Sequence, residues 1–232
     1  MSRNNANRLG APVNDGVPDF VAASSKLDFA VPTEFVTLPS KGKYYPEDHP
    51  LYNVDEIEIK HMTAKEEDII ASRSLLQKGL IIDRLIESVV LDKRIKAEGL
   101  LIGDKNAIMI AARITGFGPE YPISVACPNC GLAGEHEFDL SSLGQTEGDP
   151  GKFDVTNIGN RNFEIRLPNT KAVVEVKLLT GREERKLNET MKLRAKKNLP
   201  ESMVLGMFRS FVISVNGVMN ASEVSRFMEN LP

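Results

Sequence analysis

Cys127 and Cys130 are the residues best placed to do chemistry, because Cys127-Pro-Asn-Cys130-Gly spaces two thiols so that both can grip one ion. The pattern resembles one zinc knuckle. A closed structural zinc site takes four ligands, and the chain has no second CxxC. His136 lies six residues after Cys130 and is the third candidate ligand, while His49 and His61 are remote in sequence. Such a partial site would be weak unless a second chain or a partner completed it. A redox pair is the second reading, although redox thiols favour a helix N-terminus, which lowers their pKa, and this pair reads as a hairpin turn. A tip whose sulfurs simply pack is the third. All three stay open, and zinc is the only cofactor in question.

Other catalytic sets are missing. The three histidines show no HExxH spacing, and no GxGxxG loop, Walker sequence or GxSxG elbow occurs. Asp92 reads as a turn residue and Asp104 as a helix N-cap. The reading is therefore not an enzyme. Residues 182–197 carry seven basic residues against three acidic ones, which could touch nucleic acid. They include no aromatic residue for stacking, so a solvated helix face with internal ion pairs is the simpler account.

Composition agrees with that restraint. The chain has 232 residues, 41% of them apolar and 26% charged, with a net charge of −3. That length can bury a substantial core, and the slight acidity gives no global pull towards nucleic acid or an anionic membrane. No apolar run reaches the roughly 18 residues that would suggest a membrane helix. The first 16 residues lack the apolar core of a secretory signal. Two closely spaced cysteines cannot form a disulfide framework, so a reducing compartment is expected.

Pattern reading supplies the elements that must position these residues. Residues 1–30 are rich in Asn, Ala, Ser, Gly and Pro without a period, and read as a disordered arm. Phe35–Ser40 and the alternating Asp55–Lys60 read as strands. Thr63 and Glu66 form a capping box for a helix ending near Gly79. An apolar helix at 80–91 and a third helix starting at Asp104 follow. Then come a CxxC hairpin, a linker over 141–151, a hairpin turning at Pro168-Asn169-Thr170, and a second capping box at Thr180 and Glu183. An apolar helix at 203–215 and a short one at 222–230 complete the chain.

The two halves look alike. IEIKHMTAKEE (57–67) set over VEVKLLTGREE (174–184) gives five identities in eleven, with the apolar alternation kept. Leu38-Pro39 likewise matches Leu167-Pro168. Shared pattern, turn and element order together suggest an internal duplication. The first copy carries 12 extra residues before its second strand, and they hold Tyr44, Tyr45 and Tyr52. Amphipathic aromatics on a loop suit a protein interface, which makes these tyrosines candidate partner-binding residues. The alternative is that the loop folds back and its tyrosines cover their own lobe.

The fold class is therefore α+β: two related hairpin-plus-three-helix lobes with an inserted CxxC β-hairpin. The expected boundaries are an arm at 1–30, an N-terminal lobe at 31–116, a hairpin module and linker at 117–160, and a C-terminal lobe at 161–232.

LPSKGKYYPEDHPLY, IEIKHMTAKEEDII, LIGDKNAIMIAARITGFGPEY and CPNCG with EHEFDL resemble the baseplate proteins of T-even-type contractile-tailed bacteriophages, a family associated with the central hub and its assembly. The likeness runs from about Phe35 to Thr190. It implies a non-enzymatic tail baseplate structural or assembly protein acting by protein–protein contacts. Its partners would be other phage baseplate or hub proteins, or a second copy of the chain in a homo-oligomer, with no membrane and no nucleic acid. It would work in the host cytoplasm during assembly, or in the tail baseplate of the virion. The alternative is a zinc-ribbon-like regulator that binds nucleic acid through residues 182–197.

Overall fold

Alternation of Ile57 and Ile59 with charged neighbours builds the first sheet. The computed structural model describes residues 30–143, 154–197 and 203–231. Of the expected arm, residues 1–29 lie outside the described residues, as do residues 144–151 of the expected linker. Strands β1 (Thr33–Thr37) and β2 (Glu56–Lys60) pair antiparallel, with Val36 opposite Ile57. Ile57 and Ile59 point inward and Glu56 outward, the period-two pattern of a strand with one buried face.

Four helices follow, α1 (Ala64–Ala71), α2 (Arg73–Lys78), α3 (Ile81–Val89) and α4 (Ile102–Phe117); α3 and α4 supply most of the helical residues packed against that face, and α2 buries none. The capping box at Thr63 and Glu66 is present. The single helix expected up to Gly79 is two, because Ser72 adopts an extended backbone. Its hydroxyl accepts from Leu75 N at 3.4 Å, so the side chain caps a new helix instead of continuing the old one. Leu85, Ile86 and Val89 of α3 pack with Ile59, Leu38, Ile108 and Ala112 to form the first core.

Asp104 does not cap α4. The helix starts two residues earlier, after Leu101, and Asp104 is wholly buried inside its first turn. Its carboxylate accepts from Ser40 N at 2.9 Å, Ser40 Oγ at 2.6 Å and Tyr45 OH at 2.7 Å. Those donors all come from the loop between β1 and β2, so the acid ties that loop to α4. Asp92, by contrast, is a turn residue: Oδ1 accepts from Arg94 N at 3.0 Å.

After α4, strands β3 (Glu120–Ala126) and β4 (Ala133–Asp139) pair antiparallel, and Cys127 and Cys130 lie in the turn between them. The second lobe holds β5 (Val155–Gly159), β6 (Asn162–Arg166), β7 (Val173–Lys177) and β8 (Val212–Val215) in one antiparallel sheet, in that order. Helices α5 (Gly181–Lys196), α6 (Met203–Phe211) and α7 (Ala221–Glu229) complete it. Ala172, Val174, Val215, Val224 and Met228 form its buried core.

Two strands differ from expectation. β5 extends the second lobe's sheet back to Val155. The apolar helix expected over 203–215 stops at Phe211, and Val212-Ile-Ser-Val forms β8 instead. Two valines and an isoleucine in a four-residue run favour a strand once an open edge, here β7, can receive them. Asn216 and Gly217 then turn the chain with positive φ angles of 48° and 78°.

The lobes meet along a short backbone pairing. Ile102 N donates to Leu179 O at 3.0 Å and Gly181 N to Leu100 O at 2.9 Å. Around it, Lys105 Nζ lies 3.1 Å from Asp83 and 2.7 Å from Glu184, Arg185 pairs with Asp83, and Arg182 lies 2.8 Å from Glu98. A Cβ on Gly181 would stand 2.6 Å from Ala97 O and 3.3 Å from Glu98 Cα. Both neighbours are backbone and cannot rotate aside. Gly181→Ala is therefore expected to force the lobes apart and to destabilise the protein by about 1–3 kcal/mol in urea unfolding. An unchanged midpoint would show that the junction tolerates the methyl group.

Candidate partner-binding surface

The loop between β1 and β2 folds back on its own lobe. Leu38 N donates to Asp55 O at 2.7 Å, and Asn53 N to Gly42 O at 3.1 Å, closing the loop across its base. Tyr45 is 3% exposed and stacks on His49 at 4.4 Å. Its hydroxyl donates to Asp104 and accepts from Leu101 N at 3.0 Å. Burial, reinforced by the Asp104 carboxylate, pushes the phenol far above its ordinary pKa, so it stays protonated and donating. Tyr45 is thus an internal strut and offers a partner nothing, which corrects its expected role. Tyr44 is half-buried and meets Phe163 edge-on at 5.4 Å, so it spans the two lobes. Tyr52 is 39% exposed and keeps its place on the surface.

The cysteine turn projects. Cys127 is half-buried and Cys130 exposed, while Leu132 beside them is 74% exposed. His136 does not join them. It pairs with Ile123, three residues along β4 from Ala133 at the base of the turn, which places it about 10 Å down the strand. Among the described residues, no three His, Cys, Asp or Glu side chains converge in a way that could hold a metal ion.

A different surface gathers apolar groups. A groove of about 410 Å³ is lined by Met62, Ile82, Met109, Ile110, Phe117 and Tyr121, among others. Arg113 lies over the Phe117 ring at 4.9 Å and the Tyr121 ring at 5.8 Å, which holds the two aromatics side by side. Phe117 is 52% and Tyr121 44% exposed. The pattern reading overlooked this site because Met109, Arg113 and Phe117 form a second stripe on α4, beside the buried Ile108 and Ala112. A stripe wide enough to suggest only a core hides a second, open face.

The family model described as "T4 bacteriophage base plate protein" matches residues 31–159, more than half of the chain. The chain belongs to this family. It is a structural protein of the bacteriophage baseplate. No curated protein and no solved structure matches it.

The matched segment of this base plate protein includes the aromatic loop, the apolar groove and the cysteine hairpin. The basic helix α5 lies outside it, and its basic side chains are partly spoken for: Arg182 pairs with Glu98 and Arg185 with Asp83, both across the lobe junction. Nothing in the family match supports the nucleic-acid alternative. Among the described residues, no helix is long and apolar enough to cross a membrane.

Proposed function

We propose that this base plate protein is non-enzymatic and works by seating other hub or hub-assembly proteins on the apolar groove beside α4, in the host cytoplasm during tail assembly or in the finished baseplate. The observation that carries this is the half-exposed pair Phe117 and Tyr121, held in place by Arg113 over an apolar floor. Apolar surface of this kind, rimmed by polar residues, marks a protein interface. Tyr52 is a second candidate contact.

Co-purification from infected cells, beside mass spectrometry of purified virions, tests the proposal. Other baseplate proteins are expected to co-purify, and Phe117→Asp should reduce their recovery about tenfold or more, as removal of an aromatic anchor does. The same variant should stay folded, losing no more than about 1–2 kcal/mol, because half of the ring already stands in solvent. Undiminished recovery with Phe117→Asp would reject the groove, and salt-sensitive retention on DNA without baseplate proteins would favour the nucleic-acid reading instead.

The duplicated reading of the lobes draws support from one further detail. β7 carries β8 as its antiparallel neighbour, with Val176 opposite Val212. At the equivalent place in the first lobe, Ile59 of β2 forms an antiparallel bridge to Val90, directly after α3, and Leu91 N donates to Glu58 O. Both lobes thus run hairpin, helices, returning strand and capping helix, with the returning strand reduced in the first lobe to a single bridge. An experimental structure with unlike strand order in the two lobes would end this reading.

A further inference from the structure

We propose that the turn between β3 and β4 is half of a tetrahedral zinc site, completed by Cys127 and Cys130 of a second copy of this chain. The inference goes beyond the groove and does not depend on it.

The turn carries its two free cysteines on a closed backbone. Cys127 N donates to Leu132 O at 2.9 Å and Gly131 N to Cys127 O at 2.8 Å, so the backbone closes under the two sulfurs. Gly131 takes a positive φ of 73°, which lets the chain reverse directly after Cys130. Two cysteines separated by two residues in such a turn have the spacing at which both sulfurs can hold one ion at about 2.3 Å each.

The chain cannot complete the site from its own nitrogen and sulfur ligands. These are its only two cysteines, and its three histidines all lie among the described residues. His49 is stacked on Tyr45 and accepts from Leu51 N through Nδ1. His61 stands 3.9 Å from Glu34, beside the first lobe's sheet. His136 is about 10 Å down β4. Structural zinc takes four ligands, most often all thiolates or thiolates with histidine. Two copies of one projecting turn supply four thiolates across a two-fold axis, the commonest oligomer symmetry. The exposed Leu132 and Val125 flank the cysteines and give the two turns apolar surface to share.

The test uses the full chain, purified reduced in the presence of zinc, with metal content and sedimentation mass measured together. The expected result is about one zinc per two chains in a dimer that a chelator converts to monomer. Cobalt substituted for zinc should show the charge-transfer absorption of thiolate ligation. Cys130→Ser, at an exposed position, should abolish both zinc and dimer and melt where the chelator-treated wild-type monomer melts. Absence of zinc from the reduced protein, one zinc per monomer, or a Cys130→Ser protein that still dimerises with zinc would each overturn the proposal.

Discussion

Replacing Asp104 with alanine is expected to lower the free energy of unfolding by about 3–5 kcal/mol, read as a fall in the urea midpoint on the order of 2 M. The carboxylate is fully buried and accepts from the backbone and hydroxyl of Ser40 and from the Tyr45 hydroxyl. Alanine would strand three donors in a dry interior, at about 1–3 kcal/mol each before relaxation. The loss would propagate, because the same Tyr45 oxygen accepts from Leu101 N at the start of α4. Asp104→Asn keeps one carbonyl acceptor and should cost less. Tyr45→Phe removes a single donor but leaves Leu101 N unpaired, so it should fall between wild type and Asp104→Ala. A wild-type midpoint for Asp104→Ala would show that the loop holds without its anchor.

The second large effect is on acid stability. Glu66 is buried and accepts from Lys60 at 2.7 Å, from Ser88 and from Thr63. Burial alone would raise its pKa, but those hydrogen bonds outweigh it and lower the carboxyl from 4.5 to about 2. Glu183 behaves alike: burial opposes, and Lys177, Thr180 and Arg161 prevail, again bringing it to about 2. A folded pKa below the unfolded one means that the unfolded chain binds more protons between those two values. Stability therefore declines as pH falls from about 4.5 towards 2, and is fully present above that window. Each glutamate contributes up to about 3 kcal/mol to that decline, less where its partners are partly solvated. Glu66→Gln should weaken the protein at neutral pH and flatten the acid limb of urea unfolding measured between about pH 6 and 2.5. An acid limb as steep as the wild type's would mean that Glu66 titrates normally.

Much of this was visible in the residues. Thr63 with Glu66, and Thr180 with Glu183, announced two helix starts because a capping box is a local device whose partners lie three residues apart. The hairpin turning at Pro168–Thr170 was legible for the same reason. What stayed hidden depends on residues far apart in the chain. Asp104 suits an N-cap by type and place, and only the arrival of Ser40 and Tyr45, 64 and 59 residues away, makes it a buried hub. β8 read as the end of a helix because Val212–Val215 continues an apolar run, and the open edge of β7 that captures it is some 40 residues upstream. The tyrosine loop gave its chemistry but not its direction, since a run of aromatics does not say which rings face inward.

The pairing of Leu100–Ile102 with Leu179–Gly181 has a consequence for the order in which the protein is made. Lys105 and Glu184 are 79 residues apart. At a synthesis rate of about 5–20 residues per second, the stretch preceding α4 emerges roughly 4–16 seconds before the strand end that covers it. Until then Asp83 and Lys105 keep water as their outer neighbour, and the nascent first half shows a raw flank to whatever stands near the ribosome. Translation speed itself thus sets how long the half-made molecule is vulnerable.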